Sequence, residues 1–347
     1  MASSRSRGKR KKKGLGAAGF LLVLFLIALA AAGVTGWAIF TPFGPSTETF
    51  VDIPTGSSTT RIARQLQSSG VIRTQFAFDV WRWVRRGKLK AGEYRFDHPM
   101  PLPEVYERIA RGEVYTVAVT VPEGATVFEV ANRLEQAGIS SREEFLDEQP
   151  RLAALVADID PQAKTLEGYL FPDTYKFPRR TSATQIAGTM VKRFRTIATE
   201  IGLKENVHDV VTLASLVERE TAIESERPLV ASVFENRLAK HMPLMTDPSV
   251  IYGLEVRDQW RGTIYRTDLK RDTPYNTYIH AGLPPGPIAN PGLPSLRAAM
   301  NPPQTNYLYF VAAGANPQGK SLFSTTLEEH TKNVSGYRQA MKKAGQR

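Results

Sequence analysis

The chain has 347 residues and 42% hydrophobic content, enough for two or three domains with ordinary cores, which excludes a disordered tail. It contains no cysteine, so neither disulfides nor a cysteine-type metal site exist, in keeping with an oxidising compartment. The net charge of +11 resembles a nucleic-acid signal, but Arg5, Arg7, Lys9, Arg10, Lys11, Lys12 and Lys13 carry seven of those charges and the rest of the chain only +4, so no nucleic-acid partner is predicted.

Residues 1–13 form a basic tail, and residues 14–40 follow it without a single charge. That run exceeds the roughly 20 apolar residues a bilayer-crossing helix needs, and it is too long for the apolar region of a cleaved signal, about 7 to 15 residues. A retained single span is predicted. The positive-inside rule leaves the tail in the cytoplasm and sends everything after about Phe40 across the membrane, with Trp37 and Phe40 at the far interface. The tail's cations also favour anionic lipid at the inner leaflet.

A linker of turn residues covers 41–49, and a repeat follows it. FVDIPTGSSTTRIARQLQSSGVI from Phe50 and VAVTVPEGATVFEVANRLEQAGI from Val117 match at an offset of 68 residues, with Pro54, Gly56, Ala63, Leu66 and Gly70 paired to Pro122, Gly124, Ala131, Leu134 and Gly138. Each copy predicts a strand, a Pro-x-Gly turn, an amphipathic helix and a glycine stop. Between them lie a helix near Thr74 to Arg85, a strand at Ala91 to Phe96 and a helix near Pro103 to Arg111, which together make residues 50–116 a small βα module. It serves as a spacer or as a glycan-binding unit.

The remaining domain, 117–347, carries the unusual segments. LEGYLFPDTYKF, Leu166 to Phe177, predicts an aromatic turn segment holding Glu167 and Asp173. The next predicted helix, around Val211 to Thr221, aligns Val211, Ala214, Glu218 and Ala222 on one apolar face, while Arg219 and Glu220 point away. A carboxyl buried there without a matched cation has a raised pKa and suits a general acid, whereas pairing with Arg219, Arg227 or Arg237 makes it structural. Glu220 lies about 200° from Glu218 around the helix and is a poor partner for it.

A second helix, about Pro228 to Lys240, sets Val230, Val233, Phe234 and Arg237 along one face. MTDPSVIYG, Met245 to Gly253, places Asp247 in a turn, and Asp272 to Gly292 is a long loop in which Asn276 and Tyr278 suit the hydroxyl and amide groups of a sugar. Tyr307 to Ala313 predicts a buried strand, and Thr325 to Lys343 a closing helix.

TLEGYLFPDTYKF, ASLVERET, SERPLVASVFENRL, MPLMTDPSVIYG, YNTYIHAGLPPGPIANPG and YLYFVA, in that order behind one N-terminal span, resemble the endolytic murein transglycosylases, the YceG-like family. The resemblance runs from about Phe50 to the C-terminus. It implies an α+β fold, with the span, a LysM-like module over 50–116 and a YceG-like catalytic domain over 117–347. It also implies internal cleavage of nascent peptidoglycan between N-acetylmuramic acid and N-acetylglucosamine, leaving 1,6-anhydromuramic ends and terminating the strand. The implied catalytic acid, the first glutamate of the ASLVERET motif, falls on Glu218. Implied surroundings are the bacterial cytoplasmic membrane, an extracytoplasmic active domain, glycan strands as substrate and peptidoglycan synthases as partners, with no cofactor and no metal.

In such chemistry the leaving oxygen must be protonated. A hydrolase needs a second carboxylate as well, for which Asp247 is the candidate, with Glu220, Glu226, Glu167 and Asp173 also in the inventory. A lytic transglycosylase needs none, because the sugar's C6 hydroxyl attacks C1. Asn276, Tyr278 and Asp247 are the residues expected to orient sugar or support developing charge.

Overall fold

The computed structural model describes residues 17–179, 181–316 and 320–345, so the basic tail lies outside the described residues. Helix α1, Ala17–Phe40, has no charge along its 24 residues and at 1.5 Å per residue extends about 36 Å, enough to cross the roughly 30 Å hydrocarbon core. The chain divides into two compact units, residues 1–115 and 116–347.

In the first unit, β1 (Thr49–Ile53) pairs antiparallel with β2 (Gly92–Phe96), and between them run α2 (Thr59–Ser68) and α3 (Gln75–Arg85), with α4 (Leu102–Arg111) after β2. Ser58 and Thr74 cap α2 and α3 by accepting the N–H of the third helical residue. Val51, Ile53, Leu66, Phe78, Tyr94, Phe96 and Ile109 form a core of this unit's own. The last turn of α1 packs on it: Ile39 is buried, and Phe40 meets the Trp81 ring edge-on at 5.7 Å. Trp37, expected at the membrane interface, lies under the Arg73 guanidinium at 4.2 Å.

The second unit begins with the second copy of the repeat. Strand β3 (Val117–Val121) leads through Gly124 into α5 (Val127–Gln136), which is closed by a capping box between Thr126 and Glu129. The two copies share backbone geometry, with φ of 79° and 76° at Gly56 and Gly124 and 68° and 67° at Gly70 and Gly138. These are left-handed conformations that favour glycine at the turn and at the helix stop. Short helices α6 (Arg142–Asp147) and α7 (Gln149–Leu152) follow.

The aromatic segment departs from the expected turn, since Asp173–Phe177 is strand β4, paired antiparallel with β3 from Val117↔Phe177 to Val121↔Asp173. Next comes α8, Ala183–Ile201, with a Ser182/Gln185 capping box and a buried stripe of Ile186, Met190, Phe194 and Ile197.

Helix α9, Val207–Glu220, is the hub. Every residue from Val211 to Val217 is buried, so it is a core helix rather than an amphipathic surface one. It packs against α10 (Arg227–Ala239), α11 (Asp247–Glu255) and α12 (Leu293–Met300). Asp247 therefore opens a helix instead of occupying a turn. The strand expected over Tyr307 to Ala313 is β5 (Tyr309–Ala312), half-buried rather than buried and paired with β6 (Ser321–Ser324), after which α13 (Leu327–Lys343) closes the chain.

The long proline-rich loop carries no helix or strand, yet its end is inserted into the core. Asn290 donates to the Ala125 carbonyl, accepts the Leu170 N–H at 2.8 Å, and reaches the Glu167 carboxyl at 3.0 Å. Ser215 Oγ accepts the Ile288 N–H at 3.0 Å. Polar side chains thus satisfy a backbone that has no ladder of its own.

Candidate active site

Helix α9 ends with two glutamates on opposite sides, and their surroundings differ. Glu218 has a side chain only 4% exposed, but it is not unmatched. Arg227 Nη2 donates to its Oε1 at 2.7 Å and the Gly292 N–H to its Oε2 at 2.9 Å. Arg227, itself buried, also reaches Glu123 at 3.3 Å, and Arg219 donates to the Gly124 carbonyl at 3.0 Å. Of the two environments weighed from sequence, the paired one is present at Glu218, with Arg227 as the cation. Both of its oxygens already accept hydrogen bonds, one of them within an ion pair. A depression of about 350 Å³, lined by Glu123, Gly124, Glu218, Arg219, Ala222 and Arg227, lies against this side.

Glu220 has the other of the two environments weighed for a carboxyl on this helix. Its Oε2 is buried and meets no hydrogen-bond partner among the described residues. Burial pushes its pKa up to about 7; the nearby Asp247 carboxylate adds to the rise and Arg237 opposes it. A carboxyl that exchanges its proton near neutral pH serves as both acid and base. Arg237 is held beside it by its own bonds, with Nε donating to the Leu308 carbonyl at 2.7 Å and Nη1 to the Leu244 carbonyl at 2.8 Å.

Asp247 and Tyr278 are brought together, as the Tyr278 hydroxyl donates to Asp247 Oδ1 at 2.6 Å. Asp247 is exposed and Tyr278 half-buried, and burial together with Asp247 raises the tyrosine pKa. The segment before Asp247 is zipped to the tyrosine loop. Met245 N–H donates to the Thr277 carbonyl at 3.1 Å, and Thr246 N–H to Thr277 Oγ1 at 3.0 Å. Met245 adopts φ 54°, a left-handed conformation rare for a long side chain, held by those contacts.

Asn276 is turned inward. It is fully buried, its Nδ2 donates to the carbonyls of Arg271 at 2.8 Å, Leu269 at 3.1 Å and Asp268 at 3.4 Å, and its Oδ1 accepts the Tyr278 N–H at 3.0 Å. These bonds all go to backbone groups, and the one from the Tyr278 N–H ties the amide to the residue that carries the tyrosine.

Of the other carboxylates, Glu167 is buried against the Val127 N–H and Asn290, and burial pushes it up to about 8. Glu226 accepts from Ser321, and Asp173 pairs with Arg193 at 2.9 Å. Neither lies in the Glu220 group. Sequence reasoning set Glu220 aside because helical geometry turns it from Glu218. The signal that would have recovered it is the neighbourhood of α11, which no periodicity encodes. Among the described residues no three His, Asp or Glu side chains are grouped to hold a metal ion.

Residues 51–336 match the model of the YceG-like family. An endolytic murein transglycosylase of Bacillus subtilis is 35% identical over 335 residues, covering 90% of this chain and 91% of that protein. A protein of the same name from Streptococcus pneumoniae is 28% identical over 352 residues, 90% of this chain but 64% of that protein. A crystal structure of a putative YceG-like protein from Listeria monocytogenes superposes with a TM-score of 0.54 at 34% identity, covering 83% of this chain and 99% of that one.

Proposed function

This chain belongs to the YceG-like family, and from that premise we propose that it is a membrane-anchored endolytic murein transglycosylase whose proton donor and acceptor is Glu220. The observation that carries the assignment is the unmatched, buried carboxyl of Glu220, with a pKa near neutrality, beside Asp247 and Tyr278.

In this reading the glycan lies along the Tyr278 and Asp247 side of α9. Glu220 protonates the glycosidic oxygen between N-acetylmuramic acid and N-acetylglucosamine as the C1–O bond breaks. The developing positive charge at C1 is favoured by the Asp247 carboxylate, whose position is fixed by the Tyr278 hydroxyl. The C6 hydroxyl of the same muramic residue then bonds to C1 and returns its proton to Glu220. Atoms and protons balance without water, and the product is a 1,6-anhydro end that no longer serves as an elongation site. Arg237 steadies the anionic form of Glu220 that exists between the two proton transfers.

A second reading keeps Glu218 as the acid. It rests on the motif position implied by the family and on the depression beside that side chain. The deciding experiment is mass spectrometry of glycan ends released from peptidoglycan by the wild type, Glu218→Gln and Glu220→Gln. New ends lacking one water, lost only in Glu220→Gln, uphold the first reading; loss only in Glu218→Gln, with the fold retained, upholds the second. Ordinary reducing ends would make the enzyme a hydrolase in which Asp247 activates water.

The charge-free α1 supports a single span with the tail cytoplasmic, the catalytic unit outside and cleavage confined to glycan near the membrane. The β-α-α-β order of the first unit supports a LysM-like glycan-holding role, tested by pull-down of that unit on purified sacculi. Peptidoglycan synthases, which make strands at the same surface, are the partners this reading implies.

A further inference from the structure

We infer that Arg266 and Lys270 form a carboxylate-recognising shelf beside the reaction site, which selects murein strands by the free carboxylates of their stem peptides. The inference rests on the reading of the Glu220 side as the cleavage site.

Residues 259–271 fold around a buried acid. Asp268 Oδ2 accepts from Arg261 Nη2 at 2.8 Å and from the Tyr265 N–H at 2.9 Å, and Arg271 approaches its Oδ1 at 3.8 Å. Arg271 also donates to Gln259 at 2.6 Å. Two of the segment's cations are thereby engaged internally. Arg266 and Lys270 are not: both are exposed, and neither takes part in an ion pair among the described residues.

These two side chains, with Leu269, Tyr278 and Ile279, line an open depression of about 620 Å³. Tyr278 is the shared wall, because the same side chain bonds Asp247 and faces the charge of Glu220. The shelf is also rigidly registered. The three carbonyl contacts of Asn276 tie the 268–271 turn to the loop that carries Tyr278. A substituent projecting from a sugar held at Tyr278 therefore meets fixed positive charge and, at Leu269 and Ile279, an apolar surface. Stem peptides offer that combination: small apolar side chains and anionic carboxylates. In a peptide-bearing strand the lactyl carboxyl of the muramic residue is consumed in its amide bond to the stem, so the anionic groups offered to the shelf are those of the stem peptide. An Arg and a Lys at a solvent-exposed rim contribute modestly, and their effect is screened over about 8 Å at physiological salt.

The test uses the full chain in detergent micelles on two substrates: native peptide-bearing strands, and the same strands with their carboxylates converted to amides. The wild type is expected to favour native strands in kcat/KM by about fivefold, falling toward parity at high salt. Arg266→Gln with Lys270→Gln should bring the ratio close to one, and Arg266→Lys with Lys270→Arg should keep it. A wild-type ratio of one, or a neutralised variant with the wild-type ratio, overturns the shelf. Glu220→Gln runs beside them: if it still cuts either substrate, the Glu220 assignment fails, and that outcome is separate from the ratio.

Discussion

Replacing Glu220 and Glu218 by glutamine, one at a time, should produce opposite signatures in stability and activity. The folded-state pKa of Glu220, about 7, lies above its ordinary 4.5, so between those values the native state keeps a proton that the unfolded chain has released. Stability from this group is full below pH 4.5 and declines as pH rises to 7, a loss of about 3 kcal/mol. Glutamine carries no such burden. Glu220→Gln should therefore raise Tm at pH 8 relative to wild type, by roughly 6–12 °C at about 2–4 °C per kcal/mol for a unit of this size. It should also lower kcat by about 10²–10⁴, the usual contribution of a general acid.

Glu218→Gln does the reverse. It removes the charge facing Arg227, whose side chain is 7% exposed, and breaking such a pair costs about 3 kcal/mol. Tm should fall while anhydro ends still form. Scanning fluorimetry and mass spectrometry of the glycan ends read both quantities. A folded Glu218→Gln protein without activity, beside an active Glu220→Gln protein, would refute the assignment.

Four further outcomes follow from the same geometry. Wild-type kcat should fall about tenfold per pH unit above 7 as Glu220 loses its proton, and Asp247→Asn, by removing the adjacent negative charge, should move that limb to lower pH in a pH–rate profile. Glu167→Gln should flatten the wild-type decline of Tm between pH 5 and 8, since Glu167, at about 8, also holds a proton in the native state that the unfolded chain gives up; an unaltered slope would show that Glu167 is not the group responsible. Gly168→Ala should cost about 3 kcal/mol in chemical denaturation, because φ is 89° and a Cβ would stand 2.6 Å from Pro287 Cγ and 2.7 Å from Val211 Cγ1. A chain lacking residues 1–40 should leave the membrane fraction, whereas the full chain should resist extraction by carbonate; retention of the truncated chain would place the anchor elsewhere.

Several elements were legible because their causes are local. The charge-free α1, the Pro-x-Gly turns of the repeat, α10 and the closing helix follow from runs, spacings and stop residues. Helix α8 was equally available, since Ser182 and Gln185 form a capping box ahead of Ile186, Met190, Phe194 and Ile197 at helical spacing, yet the sequence reading passed over it. Strand β4 was not local: Pro172 and the aromatics resemble a turn, and only the partner β3, more than fifty residues earlier, makes Asp173–Phe177 extended.

At the site, the sequence by itself determined that one helix bears two glutamates, Glu218 and Glu220, and that a proline-rich loop bears Asn276 and Tyr278. The tertiary structure decided what each one does. Arg227 and the Gly292 N–H converge on Glu218, while Asp247 and Arg237 converge on Glu220. Asn276 turns inward to three carbonyls and Tyr278 outward to Asp247. Side-chain periodicity specifies the direction in which a carboxyl leaves its helix. The cost of its charge, however, depends on the through-space distance to cations, anions and water, and those neighbours come from segments far away along the chain.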